Sequence, residues 1–189
     1  MTDEQDELRE ALKKVAVALK EAGLPFALGG GYAAWALGGP EPEHDVDFVV
    51  AEADAERAER VLTESELRVE HPPEDWLFKV FDGAGSGAAM VDVLFRMAGD
   101  PVQPELLERA VEVEVLSVRM PVLSSTDTIA SKLVALTEHS CDFGKVLPSA
   151  RALREQVDWS SVRTTVKGNP YAEACLFLLD RLGIAGDQP

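Results

Sequence analysis

Cysteine is scarce in this chain. Cys141 and Cys175 are the only two in 189 residues, which excludes a disulfide scaffold and fits a reduced compartment. No apolar run approaches the roughly 18 residues needed to span a bilayer, and the N-terminus, Met-Thr-Asp-Glu-Gln-Asp-Glu, is acidic where a secretory leader would be basic. The expectation is a cytoplasmic chain with no membrane partner. Internal repeats and low-complexity tracts are also missing. Basic residues are the other shortage: 18 Lys and Arg face 34 Asp and Glu, a net charge of −16. The imbalance is lopsided, with 8 basic against 21 acidic side chains in residues 1–95 and 10 against 13 in residues 96–189. So acidic an N-terminal half cannot hold nucleic acid by diffuse attraction, because phosphate affinity comes from Lys and Arg. It can hold divalent cations, or simply keep the surface solvated.

Hydrophobic residues at 46% and charged residues at 28% describe an ordinary globular chain. Leu8, Leu12, Val15 and Leu19 recur at three- and four-residue spacing, predicting an amphipathic helix over residues 5–22 that Gly23 ends. Residues 24–28 read as a short strand running into Gly29-Gly30-Gly31, followed by a short helix over 32–37. Strands are expected at 46–50, 67–69, 77–81, 89–95, 113–118 and 120–123. The loop 82–87 suggests a hairpin between the third and fourth of these. Helices are expected at 53–66, 104–110 and 125–139, the last capped by Ser124 or Ser125 with Asp127 in its first turn. Residues from about 142 to 184 read as helical. The fold expected is a mixed, twisted α/β sheet flanked by helices over residues 1–123, with a helical C-terminal part at 124–189 sharing the same core.

The most informative stretch is Gly29-Gly30-Gly31, thirteen residues, then Asp45-Val46-Asp47-Phe48-Val49-Val50. Side chains two apart on a strand share a face, so Asp45 and Asp47 are expected side by side, with Val46 and Phe48 in the core. Two carboxylates that close repel unless a cation lies between them. Mg²⁺ relieves that repulsion, since it takes carboxylates together with substrate phosphates. The glycines let backbone N–H groups approach an anion. A third acid, Asp92, interrupts the apolar run Met90 to Phe95. That placement is costly unless the acid is paired or on a metal, although an edge-strand Asp facing water is the plainer alternative.

Gly-Gly followed by Asp-x-Asp, with a later lone Asp on a hydrophobic strand, resembles the nucleotidyltransferase superfamily with the polymerase-β-like fold. Met120 to Leu133 is similar to that superfamily's segment in which a short strand leads to a helix carrying a Lys. Lys132 with Thr137-Glu138 is similar to a motif of the abortive-infection nucleotidyltransferase toxins of bacterial toxin–antitoxin systems, and Asp142 would occupy that group's fourth motif. Two positions depart from this pattern. Cys141 stands where a basic residue usually precedes the last Asp, and Pro42-Glu43-His44 stands where many relatives have Arg. The Glu43-His44 pair is instead similar to antibiotic nucleotidyltransferases of the lincosamide type.

The resemblance implies transfer of a nucleoside monophosphate from an NTP to an acceptor hydroxyl. It implies one or two Mg²⁺ ions, or Mn²⁺, held by Asp45, Asp47 and Asp92, with Asp92 either a ligand or the base that takes the acceptor proton. Gly29, Gly30, Gly31 and Lys132 would bind the triphosphate, with Lys132 and Asp142 completing the catalytic set. The expected acceptor is a tRNA 3′ end, with a possible cognate antitoxin as partner. A small aminoglycoside- or lincosamide-type acceptor and a catalytically silent nucleotide- or partner-binding domain are the alternatives. From the residues alone, Lys132 borders the apolar stripe of its helix and could equally snorkel to solvent, Asp142 reads as a helix cap, and Arg96 is a candidate phosphate or acceptor contact.

Overall fold

The computed structural model describes residues 3–42, 44–83 and 88–186. Glu43, the loop residues 84–87 and the termini, all of which figure in the sequence reading, lie outside the described residues. The chain opens with α1 (Asp3–Glu21). Its Leu8, Leu12, Val15 and Leu19 are buried, as their spacing predicts. Then come β1 (Phe26–Leu28), α2 (Gly30–Ala36) and β2 (Val46–Val50). A turn of 3-10 helix at Glu52–Asp54 leads into α3 (Ala55–Glu64). The middle of the chain is β3 (Arg68–Glu70), β4 (Leu77–Asp82), β5 (Ala89–Leu94), β6 (Arg96–Met97), β7 (Asp100–Pro101) and α4 (Pro104–Glu108). The last third holds β8 (Val111–Val115), β9 (Val118–Val122), α5 (Ser125–Val134), α6 (Leu147–Leu153), α7 (Trp159–Thr165) and α8 (Pro170–Arg181).

Seven strands form one mixed sheet in the order β3-β4-β5-β2-β1-β9-β8. The β2–β5 and β1–β9 pairs are parallel and the others antiparallel. One face presents Val46, Phe48, Val50, Phe78, Val80, Val91 and Val93 to α1 and α3, making the main core. On the other face, Ala27, Val49, Val102 and Leu123 pack with Leu106 and Leu107 of α4 in a small cluster. Helices α5 to α8 gather a further cluster around Ile129, Leu133, Leu153, Val162, Cys175 and Leu179, joined by Ala34 of α2. The mixed α/β sheet flanked by helices is the fold class expected.

Three elements differ from expectation. The strand expected over 113–118 is broken by a two-residue turn at Leu116 (φ +50°) and Ser117 (φ +65°). Two successive positive φ values match the twist of the flanking strands, but neither residue advertises that conformation. The helix expected to reach His139 stops at Val134, because Asn169 donates to the carbonyls of Val134 (3.2 Å) and Leu136 (3.1 Å). Those oxygens would otherwise be orphaned at a helix end. Finally, the β6–β7 hairpin lies in a stretch that carried no strand expectation. Its turn, Ala98-Gly99, again has both φ values positive.

Candidate functional site

Register brings the acids together. Asp47 of β2 sits opposite Asp92 of β5 in the parallel pair, and Asp92 sits opposite Lys79 of β4 in the antiparallel pair. Directly opposed residues share a face of the sheet, so Lys79, Asp92 and Asp47 form a row across three adjacent strands. Lys79 Nζ donates to Asp92 Oδ1 at 2.8 Å. Asp45 is placed differently from expectation. It precedes β2, is exposed, and has φ +62°, so the turn into the strand rather than strand alternation sets its position. Val46 and Phe48 are fully buried as anticipated.

The glycine turn abuts the same acids. Gly29 N–H donates to the Asp47 carbonyl at 2.8 Å, tying β1 to β2. Gly30, at φ +57°, faces the Asp47 side chain so closely that no Cβ fits, and its left-handed backbone is one that side chains disfavour. Beside it, a Cβ on Gly31 would lie 2.9 Å from Pro42.

Electrostatics show how crowded this corner is. Burial, then the charges of Asp92 and Asp45, push the Asp47 carboxyl up to about 7 from 3.8, while Lys132 and Lys79 pull the other way. Lys132, in the last turn of α5, does not snorkel away. Burial lowers its ammonium below the usual lysine range, and Asp47 partly restores it. Three oxygen donors that repel one another in a partly buried pocket are the chemistry a hard divalent cation satisfies. Among the described residues, no three His, Cys, Asp or Glu side chains are close enough to cage an ion unaided.

Asp47 and Asp45 open onto a cavity of about 1450 Å³, which Gly30, Gly31 and Lys132 also line. Its far wall carries Trp76, Met97, Asp100 and Leu106, and its C-terminal wall carries Thr137, Lys145 and Asn169. Trp76 is 43% exposed. Two arginines reach this cavity, and both are engaged. Arg96 pairs with Glu52, and Arg109 pairs with Asp127 at 2.8 Å. Asp142 is not among the residues lining the cavity. It caps a 3-10 turn at Phe143–Lys145, accepting from Gly144 N–H at 2.9 Å. Thr137, of the Thr137-Glu138 pair, sits past the end of α5 in a bridge with Ser140. Sequence reasoning missed Lys79 as a member of the site. The hairpin register, had it been read from the 82–89 turn, would have revealed it.

A family model described as an uncharacterised nucleotidyltransferase matches residues 2–184. No curated protein matches the chain in sequence. Among solved structures, ANT(2″)-Ia in complex with adenylyl-2″-tobramycin aligns at TM-score 0.53 and 15% identity, covering 92% of this chain and 98% of that one. An antigenic nucleotidyltransferase-like protein from Paracoccidioides brasiliensis aligns at TM-score 0.53 and 14% identity, covering 90% and 92%. The lincosamide antibiotic adenylyltransferase LnuA, lincomycin-bound, aligns at TM-score 0.49 and 14% identity, covering 74% and 94%. Likenesses at this identity speak to the fold.

Proposed function

The chain belongs to this nucleotidyltransferase family, enzymes that move a nucleotidyl group from an NTP, and from that premise we propose that it modifies a small, hydroxyl-bearing acceptor held in the cavity beside Asp47. The observation that carries the acceptor class is the fate of the arginines. Arg96 and Arg109 are both neutralised by carboxylates, and Asp100 and Asp127 face the same space. A polyanionic acceptor needs a run of unpaired Lys and Arg along its backbone, whereas among the described residues only Lys132 and Lys145 line the cavity outside an ion pair. A cavity whose arginines are neutralised and which holds an exposed Trp76 suits a compact neutral or cationic molecule better.

In this reading, Asp45 and Asp47 would hold a Mg²⁺ or Mn²⁺ ion, which would supply charge neutralisation for the triphosphate oxygens. Gly30 and Gly31 offer backbone N–H groups to the triphosphate oxygens. Lys132 places a positive charge beside it. Asp92 takes the proton of the acceptor hydroxyl as its oxygen bonds to the α-phosphorus and the α–β bridging bond breaks, releasing pyrophosphate. Asp142, a turn cap, has a structural role.

The test is incubation with Mg²⁺ and each α-labelled NTP, offering aminoglycosides, lincosamides and total tRNA in parallel; the tobramycin adduct of ANT(2″)-Ia makes tobramycin the first probe. Label on a small acceptor with pyrophosphate release supports the proposal. Label on tRNA alone overturns it in favour of the toxin-type acceptor that the Lys132 and Thr137-Glu138 resemblance implies.

A further inference from the structure

The acids of this site come with a built-in cation. Lys79 Nζ lies 2.8 Å from Asp92 Oδ1, with the two side chains 28% and 18% exposed. The pairing is set by backbone register, since Lys79 and Asp92 are directly opposed across β4 and β5, and Asp92 is directly opposed to Asp47 across β5 and β2. Neighbouring strands lie about 4.8 Å apart, so a lysine one strand beyond Asp92 has the length to reach it.

We infer that Lys79 takes the place of a second metal ion, so that this site binds a single divalent cation at Asp45 and Asp47. This rests on the metal reading above. Three carboxylates and two ammonium groups leave one uncompensated negative charge in the corner when all are ionised. One divalent ion more than balances it. A second ion at Asp92 would sit within a few ångströms of the Lys79 ammonium, where like charges repel strongly. Mg²⁺ is commonly bound through one or two carboxylates plus substrate phosphates, and Asp45 with Asp47 supplies that number. Asp92, held through Oδ1 by Lys79, is thereby freed from ligation. Lys79 is a positioning residue: it acts through Asp92.

The experiment counts ions. Full-length protein with an α,β-methylene NTP analogue is titrated with Mn²⁺, and bound ions are counted by electron paramagnetic resonance. Wild type binds one Mn²⁺ per chain, Lys79→Met binds two, and the double variant Lys79→Met/Asp92→Asn returns to one. Two ions on wild type, or one on Lys79→Met, overturns the inference while leaving the metal reading intact. No ion on wild type overturns the metal reading and this inference with it. The double variant also stands as a test by itself, should Lys79→Met alone fail to fold with Asp92 unpaired. Removing both partners of a pair is far gentler than removing one. Its single Mn²⁺ binds within about threefold of wild-type affinity if Asp92 is no ligand, and a loss beyond about tenfold shows that Asp92 holds the ion.

Discussion

Gly30 and Asp47 compete for one space: a Cβ on Gly30 would lie 2.8 Å from Cγ of Asp47 and closer still to its Oδ2. The Asp47 carboxylate is thus lodged against bare backbone at the point where β1 turns into α2. Gly30→Ala would strain a φ of +57° by about 1–2 kcal/mol and push the carboxylate off its position. The melting temperature should fall by about 2–8 °C, whereas transfer should fall by about a hundredfold, because small displacements of reacting groups are costly. Melting curves and transfer rates measured on the same preparation check this, and wild-type turnover would show that the Asp47 position is not critical.

Asp47 makes stability depend on pH. Its folded-state carboxyl titrates near about 7 against 3.8 when unperturbed, so between those values the native state keeps a proton that the unfolded chain releases. Its stabilising contribution is complete below about pH 4, declines as pH rises, and is gone above about 7, a change of at most about 4 kcal/mol. Without divalent cations, wild type should lose stability relative to Asp47→Asn across that window and level off above it. Mg²⁺ should restore wild type more at pH 8 than at pH 5. Parallel melting-temperature profiles for the two proteins would contradict the burial and repulsion assigned to Asp47.

Lys132 is half-buried beside Asp47 and holds that carboxyl's pKa down. Lys132→Ala should raise the KM for NTP about 10- to 100-fold, the range expected for losing one charged contact, with the acceptor KM unchanged. The acid limb of the pH–rate profile should also move to higher pH, since Asp47 loses a favourable neighbour. An unchanged KM with an unmoved limb would mean that Lys132 does not face the triphosphate.

Asn169 joins two helices. Its Oδ1 accepts from Tyr171 and Ala172 N–H at the start of α8, while its Nδ2 donates to the carbonyls ending α5. Asn169→Ala should cost about 2–3 kcal/mol, combining a lost N-cap with two orphaned carbonyls. Asn169→Ser keeps a cap acceptor and loses the Nδ2 donor, so its melting temperature should fall between those of wild type and Asn169→Ala. Equal losses for the two variants would show that the cap contributes nothing, and a wild-type melting temperature for the cap-retaining variant would show that the Nδ2 bonds contribute nothing.

The sequence made the scaffold of the site legible wherever one element fixed the answer. Val46 and Phe48 alternate into the core, Leu8 to Leu19 line one helix face, and the glycine run sits between β1 and α2, because each pattern has a local cause. The features that depend on two distant segments were hidden. Lys79 reads as one more strand lysine until the hairpin register sets it opposite Asp92. The early stop of α5 needs Asn169, some 35 residues onward. Asp45 looked like a strand residue because alternation with Asp47 invited it, yet a positive φ before β2 governs its placement. Leu116-Ser117 turned a predicted strand into a hairpin without the Gly or Asn that normally marks such a turn.

The central claim is that an ionised Asp47, beneath the glycine turn, is required for nucleotidyl transfer. Its most direct test is the rate of label transfer from an α-labelled NTP, in Mg²⁺, by wild type and by Asp47→Asn at matched folded concentration. The account predicts a loss of at least about a hundredfold in the variant, with its melting transition retained. Equal rates from the two proteins would contradict it.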